Sequence, residues 1–109
     1  MLIDHAFGAD LMTMFAVDCE IGGAVQTHDH PFEETYFFLA GRVEAEIEGR
    51  ACGVGQGDVA FAGVGAVHSF RNSGPERASW IETQAPQPPA RHAHRLVGAW
   101  EQLADRAAR

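Results

Sequence analysis

Lysine is missing from this chain; all eight basic residues are arginine. Without lysine there is no Schiff-base nucleophile and no lysine general base. No run of basic residues occurs, and the net charge is -7. Nucleic acid is therefore not an expected partner, because its phosphates need clustered cations. No apolar stretch approaches the roughly 18 residues of a membrane span. The start, Met1-Leu2-Ile3-Asp4-His5, has neither the positive charge nor the apolar centre of a secretory signal. The expected location is cytoplasmic, with no membrane partner. Cysteine is scarce too. Cys19 and Cys52 are too few for a disulfide scaffold, and both are expected to be reduced. With one tyrosine and three serines, acid–base work falls to His and Glu or to a metal-bound water.

What is present is a core. The 109 residues are 46% hydrophobic, enough for one compact domain. Apolar and polar residues alternate with period two along much of the chain, as strands with one buried face require. Strands are expected over Leu11 to Glu20, Val25 to His30, Thr35 to Leu39, Arg42 to Glu48, Val59 to Phe61, Val67 to Arg71 and Ala78 to Thr83. Glycines punctuate nearly every junction and suit tight turns. Many short strands with Gly-rich turns read as an all-β sandwich or barrel, here residues 1–84. The alternation stops at Gln84. Residues 85–95 are proline-rich and expected to run extended. In residues 96–109, Leu96, Trp100, Leu103, Ala104 and Ala107 recur at helical spacing, so a C-terminal amphipathic helix is expected over Val97 to Ala108.

Chemistry concentrates in two segments. His28 and His30 are two apart and share a strand face with Gln26. Glu34 opens the next strand, and if it points inward so do Tyr36 and Phe38. In the strand around His68, Ala66, His68 and Phe70 share one face. Three imidazoles and a carboxylate make a mixed nitrogen and oxygen donor set suited to a divalent first-row metal. An isolated His-x-His pair is commonly a surface feature. The second such pair, His92 and His94, has no carboxylate or third histidine nearby and is read that way.

The two segments resemble the paired motifs of the cupin superfamily. The first motif is Gly, five residues, His-x-His, three residues, Glu, six residues and Gly; it falls on Gly22, His28, His30, Glu34 and Gly41. The second is Gly, five residues, Pro-x-Gly, two residues, His, three residues and Asn. It falls on Gly57, Gly65, His68 and Asn72, with Gly63 where the motif has proline. Fifteen residues, Arg42 to Gln56, separate the motifs, similar to the short spacer of small bacterial cupins. The resemblance spans residues 22–72. It implies a small antiparallel jelly-roll β-barrel whose lumen holds one divalent metal (Fe, Mn, Ni, Zn, Cu or Co) on His28, His30, Glu34 and His68. Four protein ligands leave open positions for water, dioxygen or a chelating substrate.

Strand parity places Gln26, Tyr36, Phe38, Val43, Ala45, Ile47, Phe61 and Phe70 inside. Such a cavity is mostly apolar, as small-molecule sites usually are. Gln26 and Tyr36, with Glu34, are the candidate catalytic residues. No arginine has inward parity, which weakens sugar-phosphate substrates and favours an apolar or metal-chelating one. Cys52 is read as a buried free thiol, and the acidic face Glu44, Glu46 and Glu48 as solvated or protecting a sheet edge. Three functions compete: a metal-dependent enzyme with oxygenase-type chemistry, which is favoured; a lyase, isomerase or cyclase on the same site; and a barrel that binds or senses a ligand without turnover. A homodimer is expected, through Thr35, Phe37 and Leu39 or the terminal helix.

Overall fold

A computed structural model describes residues 1–86 and 95–96. A single 3-10 turn at His5–Phe7 is capped by the Asp4 carboxylate, which accepts from the Ala6 amide. The described strands are β1 (Thr13–Cys19), β2 (Ala24–Asp29), β3 (Glu33–Ala40), β4 (Arg42–Ile47), β5 (Arg50–Gly55), β6 (Val59–Ala62), β7 (His68–Arg71), β8 (Ala78–Ala85) and β9 (Arg95–Leu96). All pairs are antiparallel. They form two sheets, ordered β1-β8-β3-β6 and β5-β4-β7-β2-β9. The expected all-β antiparallel jelly roll is present; among the described residues its hydrogen bonding stays within two sheets and does not close them into a barrel.

Alternation fills the space between the layers. Tyr36 and Phe38 on β3, Val43 and Ala45 on β4, Phe70 on β7 and Trp80 on β8 are all buried. Their rings pack as a set: Phe38 and Phe70 lie 5.4 and 5.5 Å from Trp80, and Tyr36 meets Phe70 edge-on at 4.8 Å. Burying each such side chain contributes roughly 1.5–3 kcal/mol.

Turns set the registers. Glu48 and Gly49 both have positive φ, 52° and 77°, and join β4 to β5 in the two-residue turn whose twist matches a hairpin. Glu48 also closes the far end of β7, since its amide donates to the Val67 carbonyl and its carboxylate accepts from the Val67 amide, both at 2.8 Å. Gly41, at φ 73°, is the one residue between β3 and β4. A Cβ there would lie 2.5 Å from the Arg77 carbonyl oxygen.

Several expectations change. Residues 50–55 form a full strand, β5, that the sequence reading passed over. β5 is the edge of its sheet, so the acidic strand β4 is interior and its exposed glutamates guard no edge. Phe61 points outward at 55% exposure, because β6 pairs Thr35 with Phe61 and sets Ala60 and Ala62 inward. Ile47 is only half-buried, at the end of β4. Leu11 is exposed and precedes β1, and Cys52 is exposed rather than buried. Both cysteines are free. Leu96, expected in the terminal helix, instead pairs with His28 through β9. The rest of that helix, His92, His94 and most of the proline-rich segment lie outside the described residues.

Candidate metal centre

β2 carries one extra residue. Val25 pairs with Phe70 and His28 with His68, so three steps on β2 match two on β7. This bulge turns both Val25 and His28 toward the interior and leaves Gln26 largely exposed at the rim. The expected inward place of Gln26 is corrected accordingly. His30 follows beyond the end of β2 and stacks on the Phe32 ring at 3.9 Å. Glu34 enters from β3 and His68 from β7.

The four side chains converge. His28, His30, Glu34 and His68 are buried, and one donor atom from each lies within 4.8 Å of all the others. His30 Nε2 and His68 Nε2 both face Glu34 Oε1, the latter at 3.4 Å. Each imidazole is held by its other nitrogen. Nδ1 donates to the Gln26 carbonyl from His28 (2.6 Å), to the Phe32 carbonyl from His30 (3.3 Å) and to the Ala66 carbonyl from His68 (2.8 Å). A carbonyl only accepts, so the proton of each neutral ring sits on Nδ1 and the Nε2 lone pair points into the cluster. Metal-binding histidines are oriented in this way. His68 Nε2 and Glu34 Oε1 are buried with no hydrogen-bond partner. Such atoms are rare without a ligand. The residues therefore suit a divalent metal, with three nitrogens and one oxygen as donors.

Electrostatics support the same donor set. Burial would raise the Glu34 carboxyl, but the facing His68, the adjacent Glu82 and the nearby His30 outweigh it, and Glu34 is held well below the usual carboxylate range. Burial would lower His68, yet the facing Glu34 carboxylate and the bond to the Ala66 carbonyl raise it.

A profile described as a cupin domain matches residues 15–83. The chain belongs to the cupin family. No curated protein matches it in sequence. Among solved structures, it is similar to the polyketide cyclase RemF from Streptomyces resistomycificus, at 25% identity and a TM-score of 0.76, covering 88% of this chain and 67% of that one. It is also similar to TT1209 from Thermus thermophilus, at 27% identity and TM-score 0.69, covering 73% of this chain and 77% of that one. The DMSP lyase DddQ from Ruegeria pomeroyi DSS-3 matches at 28% and TM-score 0.71; 82% of this chain is covered but only 44% of that one.

Beside the cluster this cupin has a cavity of about 510 Å³. Phe15, Val17, Val25 and Phe70 supply apolar wall, and His28 links the cavity to the cluster. Tyr36, Trp80, Glu82, Gln84 and Gln26 complete it. The Tyr36 hydroxyl is buried without a hydrogen-bond partner. Burial, then the charges of Glu34 and Glu82, push it far above the ordinary phenol range, so it stays protonated.

Sequence reading missed the β8 contribution. Gln84 Nε2 donates to Glu34 Oε2 at 3.2 Å and to Glu82 Oε2 at 3.4 Å, while Thr13 Oγ1 donates to Gln84 Oε1 at 3.3 Å. Trp80 Nε1 donates to Glu82 Oε1 at 3.1 Å. Burial and the neighbouring Glu34 charge raise the Glu82 carboxyl far above its usual range. The signal was available: Ala78, Trp80, Glu82 and Gln84 are successive even positions of an alternating strand.

Proposed function

We propose that the protein is a metal-dependent enzyme acting on a small organic molecule, with His28, His30, Glu34 and His68 as the metal ligands. The observation that carries this reading is the set of three imidazoles whose Nδ1 atoms are all tied to backbone carbonyls, leaving three Nε2 lone pairs beside a buried carboxylate. When bound, one divalent first-row metal supplies Lewis acidity or redox chemistry at its open positions.

The chain's own residues do the rest. The apolar walls exclude water and seat an apolar or metal-chelating substrate. Tyr36, with a protonated hydroxyl lacking a partner, donates a hydrogen bond into the cavity. Gln26 at the rim contacts the substrate where it enters, and Glu34 accepts or holds protons beside the metal. Oxygenase-type chemistry is the favoured reaction. A lyase or cyclase reaction is the second reading, supported by the similarity to a polyketide cyclase and a DMSP lyase. The protein acts in the cytoplasm as a homodimer whose contact is the outer face of β3 and β6, where Phe37, Leu39, Val59 and Phe61 are exposed. No described helix is long and apolar enough to cross a membrane.

The test is elemental analysis of untagged protein beside a His28→Ala/His68→Ala variant. About one metal per chain, lost in the variant, is the expected result. No metal in either protein after reconstitution overturns the reading. Substrate-dependent oxygen uptake by the loaded protein then separates oxygenation from lyase or cyclase chemistry.

A further inference from the structure

The cavity has an unusual charge inventory. Its lining contains a carboxyl group, Glu82, and no cation. Arg42, Arg50, Arg71 and Arg77 are all exposed, so no arginine among the described residues with a placed side chain faces it. The remaining wall is largely aromatic, with Phe15, Tyr36, Phe70 and Trp80 on four different strands. Aromatic walls of this kind favour flat rings, by stacking or edge contacts. Glu82 is held there by Trp80 and Gln84, which bond one oxygen each and fix the plane of the carboxyl group. Every carboxyl oxygen has a second lone-pair direction, so a fixed Glu82 still has accepting capacity for a ligand in the cavity.

We propose that Glu82 is the specificity-determining residue of this cavity: its carboxyl group accepts a hydrogen bond from a hydroxyl or amine group on a ring-bearing ligand. A buried polar group left without its partner penalises the wrong ligand more than the right contact rewards the correct one. A ligand lacking the hydroxyl would therefore be rejected even where it fills the same volume. The inference rests on the proposed function for the identity of the neighbouring metal, but the cavity and its carboxyl stand without it.

The probes are 2-naphthol and 2-methylnaphthalene, two ligands of one shape. Their affinities are measured by ligand-observed NMR on zinc-loaded and zinc-free protein, for the native chain, Glu82→Leu and Glu82→Gln. The native chain is expected to prefer naphthol over methylnaphthalene by about tenfold, the worth of one good hydrogen bond. In Glu82→Leu that preference disappears. In Glu82→Gln, which keeps an accepting oxygen, part of it remains. An unchanged preference in Glu82→Leu overturns the proposal. So does native protein that binds no ring at all. A chain that takes up no zinc but shows a Glu82-dependent preference removes the metal reading and leaves this one standing.

Discussion

Glu34 and Glu82 share one amide: Gln84 Nε2 donates to a carboxyl oxygen of each, at 3.2 and 3.4 Å. This contact fixes the Oε2 side of Glu34 and leaves Oε1 toward His30 and His68. Gln84 is thus placed to orient a ligand that it does not replace. Gln84→Leu is expected to lower zinc affinity about 10–100-fold while the fold persists. Competition against a chromophoric chelator measures the change, and an affinity equal to that of the native chain contradicts it.

The same carboxyl pair gives the metal-free protein a defined pH response. Glu82, ordinarily near 4.5, is raised to about 9, so the folded chain keeps a proton that the unfolded chain has lost. That contribution is present below pH 4.5 and is lost as pH rises toward 9. His68 is raised above 6.5, and its contribution is likewise lost as pH rises through its folded value. Glu34, held low, acts in the opposite sense, but its contribution is lost only in acid, below its ordinary 4.5. The melting temperature in chelator is therefore expected to fall by about 5 °C or more from pH 6 to 9. Glu82→Gln flattens the slope. A midpoint that rises across this window would show the assignment to be wrong.

Two glycines predict opposite results. At Gly41 the backbone is left-handed, and an added Cβ would meet the Arg77 carbonyl oxygen at 2.5 Å and Ala78 Cα at 2.7 Å. Both are backbone atoms that cannot swing aside. Gly41→Ala is expected to cost about 3 kcal/mol. At Gly63 the φ is not in the left-handed range, and the nearest neighbour of a Cβ is Phe61 Cε1 at 3.8 Å. Gly63→Ala is expected to gain about 0.5 kcal/mol, by restricting the unfolded chain. Urea melts of both variants give the comparison.

Asn72 acts on the fold rather than on the chemistry. Its side chain donates to the Cys19 and Glu76 carbonyls and accepts from the Gly74 amide, at 3.1, 2.8 and 3.1 Å, and it is fully buried. It ties the end of β1 to the turn between β7 and β8. Asn72→Ala leaves those buried groups unpaired and is expected to lose about 3 kcal/mol of stability. The variant, refolded at low temperature, should still bind metal at the native ratio; a selective loss of metal would assign Asn72 a different role.

Some of this was legible in the sequence because parity in a strand is a strict rule. Tyr36, Phe38, Val43, Ala45, His68 and Phe70 fell on the inner face where alternation put them. Phe61 did not, because parity in so short a strand leaves open which face is the inner one, and the pairing of Thr35 with Phe61 decides its side. β5 escaped notice since Arg-Ala-Cys-Gly-Val-Gly has neither alternation nor β-branched density; its strand character comes from pairing with β4. The spacing of the four cluster residues was visible, yet Gln26 was misplaced, since a bulge leaves no mark in the alternation itself. Glu82 and Gln84 were overlooked because an inward carboxyl in an apolar strand acquires meaning only when another strand brings Glu34 beside it.

The extra residue in β2 has a further consequence. His28 reaches the cluster through chain length as well as through its own chemistry, since everything N-terminal to the bulge is one step out of phase with everything after it. In a regular strand residues three apart face opposite sides, so without the bulge either Val25 or His28 would leave the interior; removing one residue such as Thr27 would let two steps on β2 match two on β7 and keep both inward with no bulge at all. The bulge, and not the alternation of the sequence, is therefore what joins the cavity wall to the histidine cluster. The two halves of β2 behave as one gauge, keeping the apolar pocket and the imidazoles aligned to within a single peptide unit.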